Sequence, residues 1–494
     1  MALPALPGAL VVGAALVATA GRRLEPHRPP TTRPTGPGTG GGGPSVLAPT
    51  ARGARWAAAA DLRALRVRRA EPGRLVLGRP LVGWRSRRHL LAAEPLMSVA
   101  VVGPTQSGKT TALAVPAILG WEGPVVAASV KTDLVGDTLA WRQRLGRVAC
   151  FDPGRATGLP AATWSPLPAA ATYAGARRVA ADLTEVAASS ATTPDGEFWY
   201  ATAAKLLAPL LYAAARTARP MADVLRWVDT QEVAEVAAIL EEAGEPEALQ
   251  AARASWQREE RQRSSVYTTA ETVLEPFAGT AGSGDGGVID PAALLDGANT
   301  LYLCAPAHDQ RRWRGLFAAL VKEVLDRAFG TAGRAGRPLD PPLLVVLDEA
   351  AHLAPLAELD GLAATCAGHG VQLVTVWQDL AQVAARYGPR AATVLNNHRA
   401  RLFLSAIADP GTLDHASHLV GDEEVLAPSV TRDASGTRST TTAPLQRRLL
   451  PPDALRRLAP GTGVLVYGAV PPVRVRLLPW WEDPGLAARG RVGG

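Results

Sequence analysis

The sequence predicts an α/β fold built on a largely parallel sheet, and three observations support this. A glycine-rich loop follows the apolar run 97–102 and precedes the helical pattern 111–119. Other apolar runs of strand length recur along the chain, and most are followed by residues at helical spacing. They are residues 125–128, 300–304, 343–347, 373–376 and 401–404. Finally, the alternation stops between residues 170 and 285, where only helical spacing is found. Alternating strands and helices are typical of a parallel sheet, here interrupted by an all-helical segment.

The N-terminal segment, residues 1–21, is predicted to form a transmembrane helix. No charged residue occurs from Ala2 to Ala20, which is about the length that crosses a bilayer. Arg22 and Arg23 follow it and predict an orientation with the rest of the chain in the cytoplasm. A secretory signal peptide and a plain apolar tail remain alternatives, although no positive residue precedes the apolar stretch.

Two segments of unusual composition come next. Residues 22–50 are rich in proline and glycine, which predicts a flexible linker. Residues 51–90 carry eleven arginines against Asp61 and Glu71, a local charge excess of +9. We call this segment the basic collar. It is typical of contact with anionic lipid head groups or nucleic acid, and a solvated basic face is the alternative.

The loop after the run 97–102 matches G-x-x-x-x-G-K-[ST], the pattern that binds the phosphates of a nucleotide triphosphate such as ATP. Its backbone N–H groups turn toward one point and the following helix adds its dipole. Lys109 is predicted to reach the β and γ phosphates, and Thr110 to hold Mg²⁺. An accidental glycine turn is the alternative, but lysine occurs only four times in the chain. The predicted nucleotide-binding residues are Gly103, Pro104, Thr105, Gln106, Ser107, Gly108, Lys109, Thr110 and Thr111.

Polar residues follow two later strands. Asp348 comes directly after the run 343–347 and is predicted to bind Mg²⁺, while Glu349 is predicted to polarise the attacking water. Gln378 follows the next run, at the edge of the sheet where ligands of open α/β folds lie. We expect it to contact the γ-phosphate or the water. Taken alone, Asp-Glu is common in surface turns, and a solvent-facing loop glutamine is the alternative for Gln378.

The rest of the chain divides as follows. Residues 91–169 and 286–482 are predicted to form the two parts of an ATPase domain, 170–285 an inserted all-α domain, and 483–494 a tail. Residues 428–444, rich in Ser and Thr, are predicted to be a mobile loop, and residues 463–467 and 473–477 a hairpin. Three widely spaced cysteines favour a reducing compartment.

These motifs resemble the coupling-protein ATPases of conjugation and type IV secretion, the TraG/TraD group. The resemblance spans residues 90–482 in the family's order. Its most specific parts are the segment 348–356, which begins with Asp348 directly after the apolar run 343–347, and the segment 370–382 around Gln378. Further matching segments are 131–134, 148–153, 164–167, 387–388, 395–397, 449–455 and 471–472.

The resemblance implies a membrane-anchored RecA-like motor that assembles as a ring, expected to be a homo-hexamer. Such a motor drives single-stranded DNA with its relaxase toward a type IV secretion channel. Lys109, Thr110, Asp348, Glu349 and Gln378 match the family's nucleotide site. Two features depart from the family: one apolar N-terminal segment is found instead of the common two, and residues 366–369 lack the basic residue that reaches a neighbouring subunit.

That second departure leaves the arginine that acts on a neighbouring subunit unidentified, and Arg399 and Arg401 are candidates for it. Two other functions stay open. A chromosome-segregation-type DNA pump shares the phosphate loop and the acidic strand, although the helical segment and residues 377–382 argue against it. The second possible function is that of a membrane-anchored adaptor, which has weak ATPase activity and recruits protein substrates through the helical segment.

Overall fold

The computed structural model describes residues 53–82, 89–188, 196–278, 284–306, 308–432, 436 and 438–490. The predicted transmembrane helix and linker lie outside these residues, as do residues 51–52 and 83–88 of the basic collar. Among the helices that the structure describes, none is both long and apolar enough to cross a membrane.

Twelve strands form one mixed sheet. They are β1 (Arg66–Val67), β2 (Val76–Pro80), β3 (Leu90–Ala92), β4 (Val99–Val102), β5 (Val125–Ser129), β6 (Val148–Phe151), β7 (Thr300–Cys304), β8 (Leu343–Leu347), β9 (Val371–Trp377), β10 (Ala400–Leu404), β13 (Thr462–Tyr467) and β14 (Val470–Arg476). Their order in the sheet is β1-β3-β2-β14-β13-β10-β4-β9-β8-β5-β7-β6. The seven strands from β10 to β6 are all parallel, and the remaining pairs are antiparallel. Two more strands, β11 (Asp422–Arg432) and β12 (Arg438–Arg448), pair only with each other.

The parallel α/β prediction is confirmed in its coarse form. Each of the five predicted apolar runs lies within a strand, and all five strands belong to the parallel part of the sheet. Nearly every residue of these strands is buried, since a parallel sheet is covered by helices. The sequence analysis missed β6, a short strand whose first two residues are only half-buried.

The helices, in chain order, lie mainly between the strands of the parallel part and within one long helical segment. A short π-helical turn, Thr110–Ala114, leads into the first of them. They are α1 (Val115–Gly120), α2 (Asp133–Leu145), α3 (Tyr173–Ala188), α4 (Gly196–Arg216), α5 (Met221–Asp229), α6 (Ala234–Glu242), α7 (Pro246–Trp256), α8 (Glu260–Ala278), α9 (Pro291–Leu294), α10 (Gln310–Ala335), α11 (Leu359–Thr365), α12 (Leu380–Tyr387), α13 (Ala391–Asn396), α14 (Pro410–Val420), α15 (Pro452–Arg456) and α16 (Pro484–Gly490).

The segment between β6 and β7 contains α3 to α9 and no strand among its described residues. Its helices pack around large buried side chains such as Trp227 and Tyr267. The hydrophobic core of these helices continues into the sheet through α10, where Phe317 packs edge-on against Phe151 of β6 with ring centroids 5.5 Å apart. Because one core joins both parts, the helices rest on the sheet instead of standing apart from it.

The basic collar also contributes to the sheet, which the sequence analysis did not predict. Its described residues include β1 and β2, and β2 pairs with β14. Leu62, Leu65 and Leu77 are almost fully buried between the arginines. Such apolar residues among charged ones anchor a segment by burial while its charges stay in solvent.

The prediction for residues 428–444 was wrong. They were expected to form a mobile loop, but their described residues other than Gly436 belong to β11 and β12, an antiparallel ribbon that pairs from Asp422↔Arg448 to Arg432↔Arg438. Threonine and valine have branched Cβ atoms that favour extended backbone, which outweighs the loop-like composition. The predicted hairpin at residues 463–477 is confirmed as β13 and β14.

A fully buried arginine joins α2 to the sheet. Arg142 donates hydrogen bonds to the carbonyl oxygens of Trp121, Gly123 and Ala298 at 2.6–2.8 Å, and to Oγ1 of Thr300 at 2.7 Å. Burial lowers the pKa of Arg142 to about 10, so the side chain stays charged at neutral pH. These bonds fix α2, whose first turn borders the site described next.

Candidate nucleotide-binding site

The phosphate loop connects β4 to the first helical turn at the carboxyl edge of the parallel strands. The backbone N–H of Gly103 donates to the carbonyl of Trp377 at 3.0 Å, which ties the loop to the neighbouring strand β9. A Cβ at Gly103 would lie 2.8 Å from the Cβ of Leu404, so glycine is required here for close packing. Gln106 and Gly108 have φ angles of 63° and 87°. This left-handed backbone turns the loop around a central space.

Lys109 points back into the loop. Its ammonium group donates hydrogen bonds to the carbonyl oxygens of Gly103 and Pro104, the latter at 2.9 Å. Burial lowers the pKa of Lys109 from its ordinary value, and the carboxylates of Asp348 and Glu349 act in the opposite direction. The charge therefore stands where the phosphates of a nucleotide are predicted to bind, held by carbonyls that a phosphate group can replace.

Thr110 and Asp348 meet at the same place. The Thr110 hydroxyl donates to Oδ2 of Asp348 at 2.9 Å, and the Ser129 hydroxyl lies 3.4 Å from the same oxygen. Burial raises the pKa of Asp348, while the bond from Thr110 lowers it. A hydroxyl and a carboxylate are the oxygen ligands that Mg²⁺ prefers. These two residues therefore suit the predicted metal site.

Glu349 is held in an unusual backbone conformation, with a φ angle of 71°. This left-handed region is unfavourable for a residue with a side chain, and it persists only where the surrounding structure fixes it. The Ala350 N–H donates to the carbonyl of Val376 at 3.1 Å, and the His352 N–H donates to the Glu349 carbonyl at 3.0 Å. These bonds on either side hold the turn, and Glu349 borders the same space as Lys109.

A cavity of about 270 Å³ lies between the phosphate loop and these carboxylates. Of the predicted site residues, those from Thr105 to Thr111 line it together with Asp348 and Glu349. Gly103 and Pro104 form the loop behind it. Gln378 follows β9, the strand between β4 and β8, but it is absent from the cavity wall. Its N–H donates to Oε1 of Gln382 at 3.1 Å, and its contact with a nucleotide stays a prediction.

Two charged cavity residues were not assigned to the site from the sequence. Lys131 and Asp133 follow β5, which pairs with β8, so this loop closes the cavity opposite the phosphate loop. Lys131 brings a second positive charge and Asp133 a third carboxylate. Their segment was part of the family resemblance, but only the strand order places it at the cavity. The signal available in the sequence was a lysine that comes shortly after a buried strand, as Lys131 follows β5.

The two arginine candidates lie elsewhere. Arg399 and Arg401 are at the amino end of β10, which runs parallel to β4, so they lie at the sheet edge opposite the phosphate loop. Nε of Arg399 is 3.4 Å from Oε2 of Glu94. Neither arginine can act on the nucleotide of its own chain from that edge. A role toward a neighbouring subunit stays a prediction.

The fold and this site together define a P-loop nucleotide-binding protein of the α/β class. A family model described as "Type IV secretory system Conjugative DNA transfer" matches residues 55–492. Because this match covers most of the chain, the chain belongs to that family. Its membership agrees with the resemblance noted from the motifs.

Relatives of known role are similar over most of the chain. Conjugal transfer protein TraG of Escherichia coli is 26% identical over 462 residues, which cover 83% of this chain and 72% of TraG. Protein VirD4 of Agrobacterium fabrum is 24% identical over 417 residues, 78% of this chain and 58% of VirD4.

Solved structures show the same fold. The bacterial conjugative coupling protein TrwBdeltaN70 in its unbound form has a TM-score of 0.66 and 20% identity, covering 86% of this chain and 93% of its own. Plasmid coupling protein TrwB in complex with ADP and Mg²⁺ has a TM-score of 0.63 and 19% identity, covering 87% and 93%. The chain therefore shares its fold, with the mixed and mostly parallel sheet, with these coupling proteins.

Proposed function

We propose that this protein binds and hydrolyses ATP with Mg²⁺ and uses the energy to drive DNA transfer in conjugative type IV secretion. The observation that carries the proposal is the convergence of Lys109, Thr110 and Asp348 on one cavity at the end of β4 and β8. TrwB, which shares the fold, has been crystallised with an ATP analogue and with ADP and Mg²⁺. The donor set of this cavity suits the same ligands.

The residues predicted from the sequence have distinct parts in the proposed reaction. The loop N–H groups and Lys109 bind the phosphates, and the ammonium stabilises the charge that develops on the transferred γ-phosphoryl group. Thr110 and Asp348 would hold Mg²⁺, which neutralises phosphate charge when bound. Glu349 orients and polarises the attacking water. Gln378, beyond the cavity wall, would report the state of the γ-phosphate to the following helix α12.

The proposed task is that of a coupling protein, which delivers single-stranded DNA and its relaxase to the secretion channel. Family membership supports the transfer role, and TraG and TrwB are named for it. We further propose that the chain works as a homo-hexamer, because a ring motor places DNA in a shared channel. In this assembly the helices between residues 170 and 285 form an inserted domain within the ATPase domain formed by 91–169 and 286–482.

Single-stranded DNA should raise the rate of ATP hydrolysis by the full-length protein. Contacts in a motor channel are mainly to phosphates, so the DNA concentration for half-maximal stimulation should rise with salt and depend little on sequence. The measurement is ATP turnover against oligonucleotides of mixed and uniform sequence, between low and physiological salt. A rate that is indifferent to DNA even at low salt would favour the adaptor function over the motor.

We also propose that residues 1–21 anchor the protein in the membrane with the ATPase domain in the cytoplasm. Full-length protein should then stay with membranes in high salt, because a spanning helix is held by apolar burial and not by charge. Deleting residues 1–50 should release most of the protein while ATP binding persists. Extraction of membranes with high salt, compared for both forms, is the test. Full-length protein that washes off in salt would exclude a spanning segment.

A further inference from the structure

A second cavity, of about 560 Å³, shares no lining residue with the nucleotide cavity. Four parts of the chain form it: the turn between β1 and β2 with residues of β2, Leu90 of β3, α1 with the residue that follows it, and the residues that begin α16. We call it the collar groove. It is the larger of the two cavities and lies at the antiparallel side of the sheet, where the basic collar joins it.

The collar groove is strongly basic. Five arginines line it, against Glu71 and Asp483, which gives a charge excess of +3. The arginines are Arg68, Arg69, Arg74, Arg79 and Arg489. Because they surround a concavity of low dielectric constant, their fields add and attract an anion more strongly than the same charges on a flat surface.

Two of these arginines are fixed by the protein itself. Arg74 donates to the carbonyl oxygens of Ala64, Ala92 and Ala93 at 2.9–3.1 Å. Arg489 donates to the carbonyl of Leu119 at 2.7 Å, which holds α16 against α1. These bonds to neutral carbonyls shape the groove walls. Arg74 also forms an ion pair with Glu71, with 3.5 Å between Nη1 and Oε2, so part of the charge of the groove is neutralised within it.

The other three have donors to spare. Arg68 and Arg69 are exposed, and neither forms a hydrogen bond or an ion pair with another residue that the structure describes. The Nε atom of Arg79 is buried without a partner among the described residues. A buried donor without an acceptor is costly, so an external oxygen acceptor in this groove would be favoured.

The rest of the wall is apolar. Leu75, Val76 and Leu90 line one side, and Pro116 and Leu486 the other. A phosphate group joined to an apolar body matches this combination of arginines and aliphatic surface. A nucleic-acid strand instead needs an extended basic track with exposed aromatic surfaces for successive bases. The aromatic residue of this groove is Trp121, which is only 3% exposed and cannot stack a run of bases. The residues of the groove therefore favour an amphipathic phosphate ester.

We propose that the collar groove binds the head group of an anionic phospholipid, with its phosphate on Arg68, Arg69 and Arg79 and its glycerol on the apolar wall. Chain order supports this choice, because the basic collar follows the predicted membrane segment and linker. The proposal depends on the proposed membrane anchor in one respect, because the anchor brings the groove close to a bilayer. Lipid binding is measured without ATP, so its failure leaves the nucleotide function untouched.

The test is native mass spectrometry of the full-length protein in a neutral detergent, with equal amounts of phosphatidylglycerol and phosphatidylcholine added. Wild-type protein should retain phosphatidylglycerol preferentially. The double variant Arg68→Gln/Arg69→Gln should weaken that binding by about 30-fold, since each arginine beside an anionic lipid contributes about a fivefold gain. The matched control Arg63→Gln/Arg261→Gln removes the same charge from exposed sites outside the groove and should bind like wild type.

Competition separates the possible sources of the phosphate. Inorganic phosphate and glycerol phosphate, even in large excess, should displace little phosphatidylglycerol, because they lack the apolar body. Full displacement by either would show a site for free phosphate, and displacement by a single-stranded oligonucleotide would show a nucleic-acid site. Each result overturns the lipid proposal, as does equal retention of the two lipids or equal loss in the control variant. Both double variants should unfold at the wild-type temperature, since all four side chains are exposed.

Discussion

Replacing Lys109 by alanine should reduce ATP hydrolysis by at least about 100-fold, the effect typical of removing one preorganised charge from a transition state. Lys109 is 8% exposed and lies inside the phosphate loop, where its ammonium binds the carbonyls of Gly103 and Pro104. Without it, the γ-phosphoryl group loses the positive charge that follows it into the transition state. Nucleotide binding should weaken as well, because the same charge attracts the ground-state phosphates.

Lys205→Ala is the matched control for this variant. It removes one of the four lysines of the chain, from an exposed position in α4 outside the nucleotide cavity. Turnover should stay near wild type there. ATP turnover and binding of a fluorescent nucleotide, measured for both variants, separate catalysis from affinity. A Lys109→Ala protein that hydrolyses ATP within a few-fold of wild type would exclude the proposed site.

Much of this site could be predicted from the sequence because its parts are local. The loop 103–110 needs only a strand before it and a helix after it, and both are encoded by neighbouring residues. Asp348 and Glu349 follow a strand of five buried residues, whose apolar run marks its end. The strands of the parallel sheet were predictable for the same reason, since burial on both faces produces continuous apolar runs.

Features that depend on strand order could not be predicted. Lys131 and Asp133 enter the cavity only because β5 lies beside β8, and those two strands are far apart in the sequence. The collar strands and the ribbon of β11 and β12 were missed for a related reason. The collar strands are short and stand among arginines, and the ribbon is rich in polar residues. Only pairing shows that the collar joins the sheet and that the two ribbon strands pair with each other. The left-handed backbone of Glu349 has no sequence signal at all.

Glu349→Gln should produce a protein that binds ATP with Mg²⁺ but hydrolyses it at least about 100-fold more slowly. The amide keeps the shape of the side chain and leaves Lys109, Thr110 and Asp348 in place, so the phosphate and metal sites persist. It lacks the negative charge that polarises the attacking water. Glu358→Gln is the control, because it neutralises an exposed carboxylate of the same segment outside the cavity.

The strain at Glu349 provides a second measurement on the same residue. Its φ of 71° is tolerated by glycine at no cost, so Glu349→Gly should raise the free energy of unfolding by about 1 kcal/mol while hydrolysis falls as in the glutamine variant. If the glutamate lowers the stability of the fold and is still needed for turnover, its strained backbone conformation serves catalysis. Near-normal turnover in Glu349→Gln would remove the residue from the mechanism, and loss of ATP binding would assign it to the metal or phosphate site instead. A glycine variant that is less stable than wild type would mean that the side chain of Glu349 supports the fold. The left-handed backbone at this position would then not be a strain that the protein maintains for catalysis.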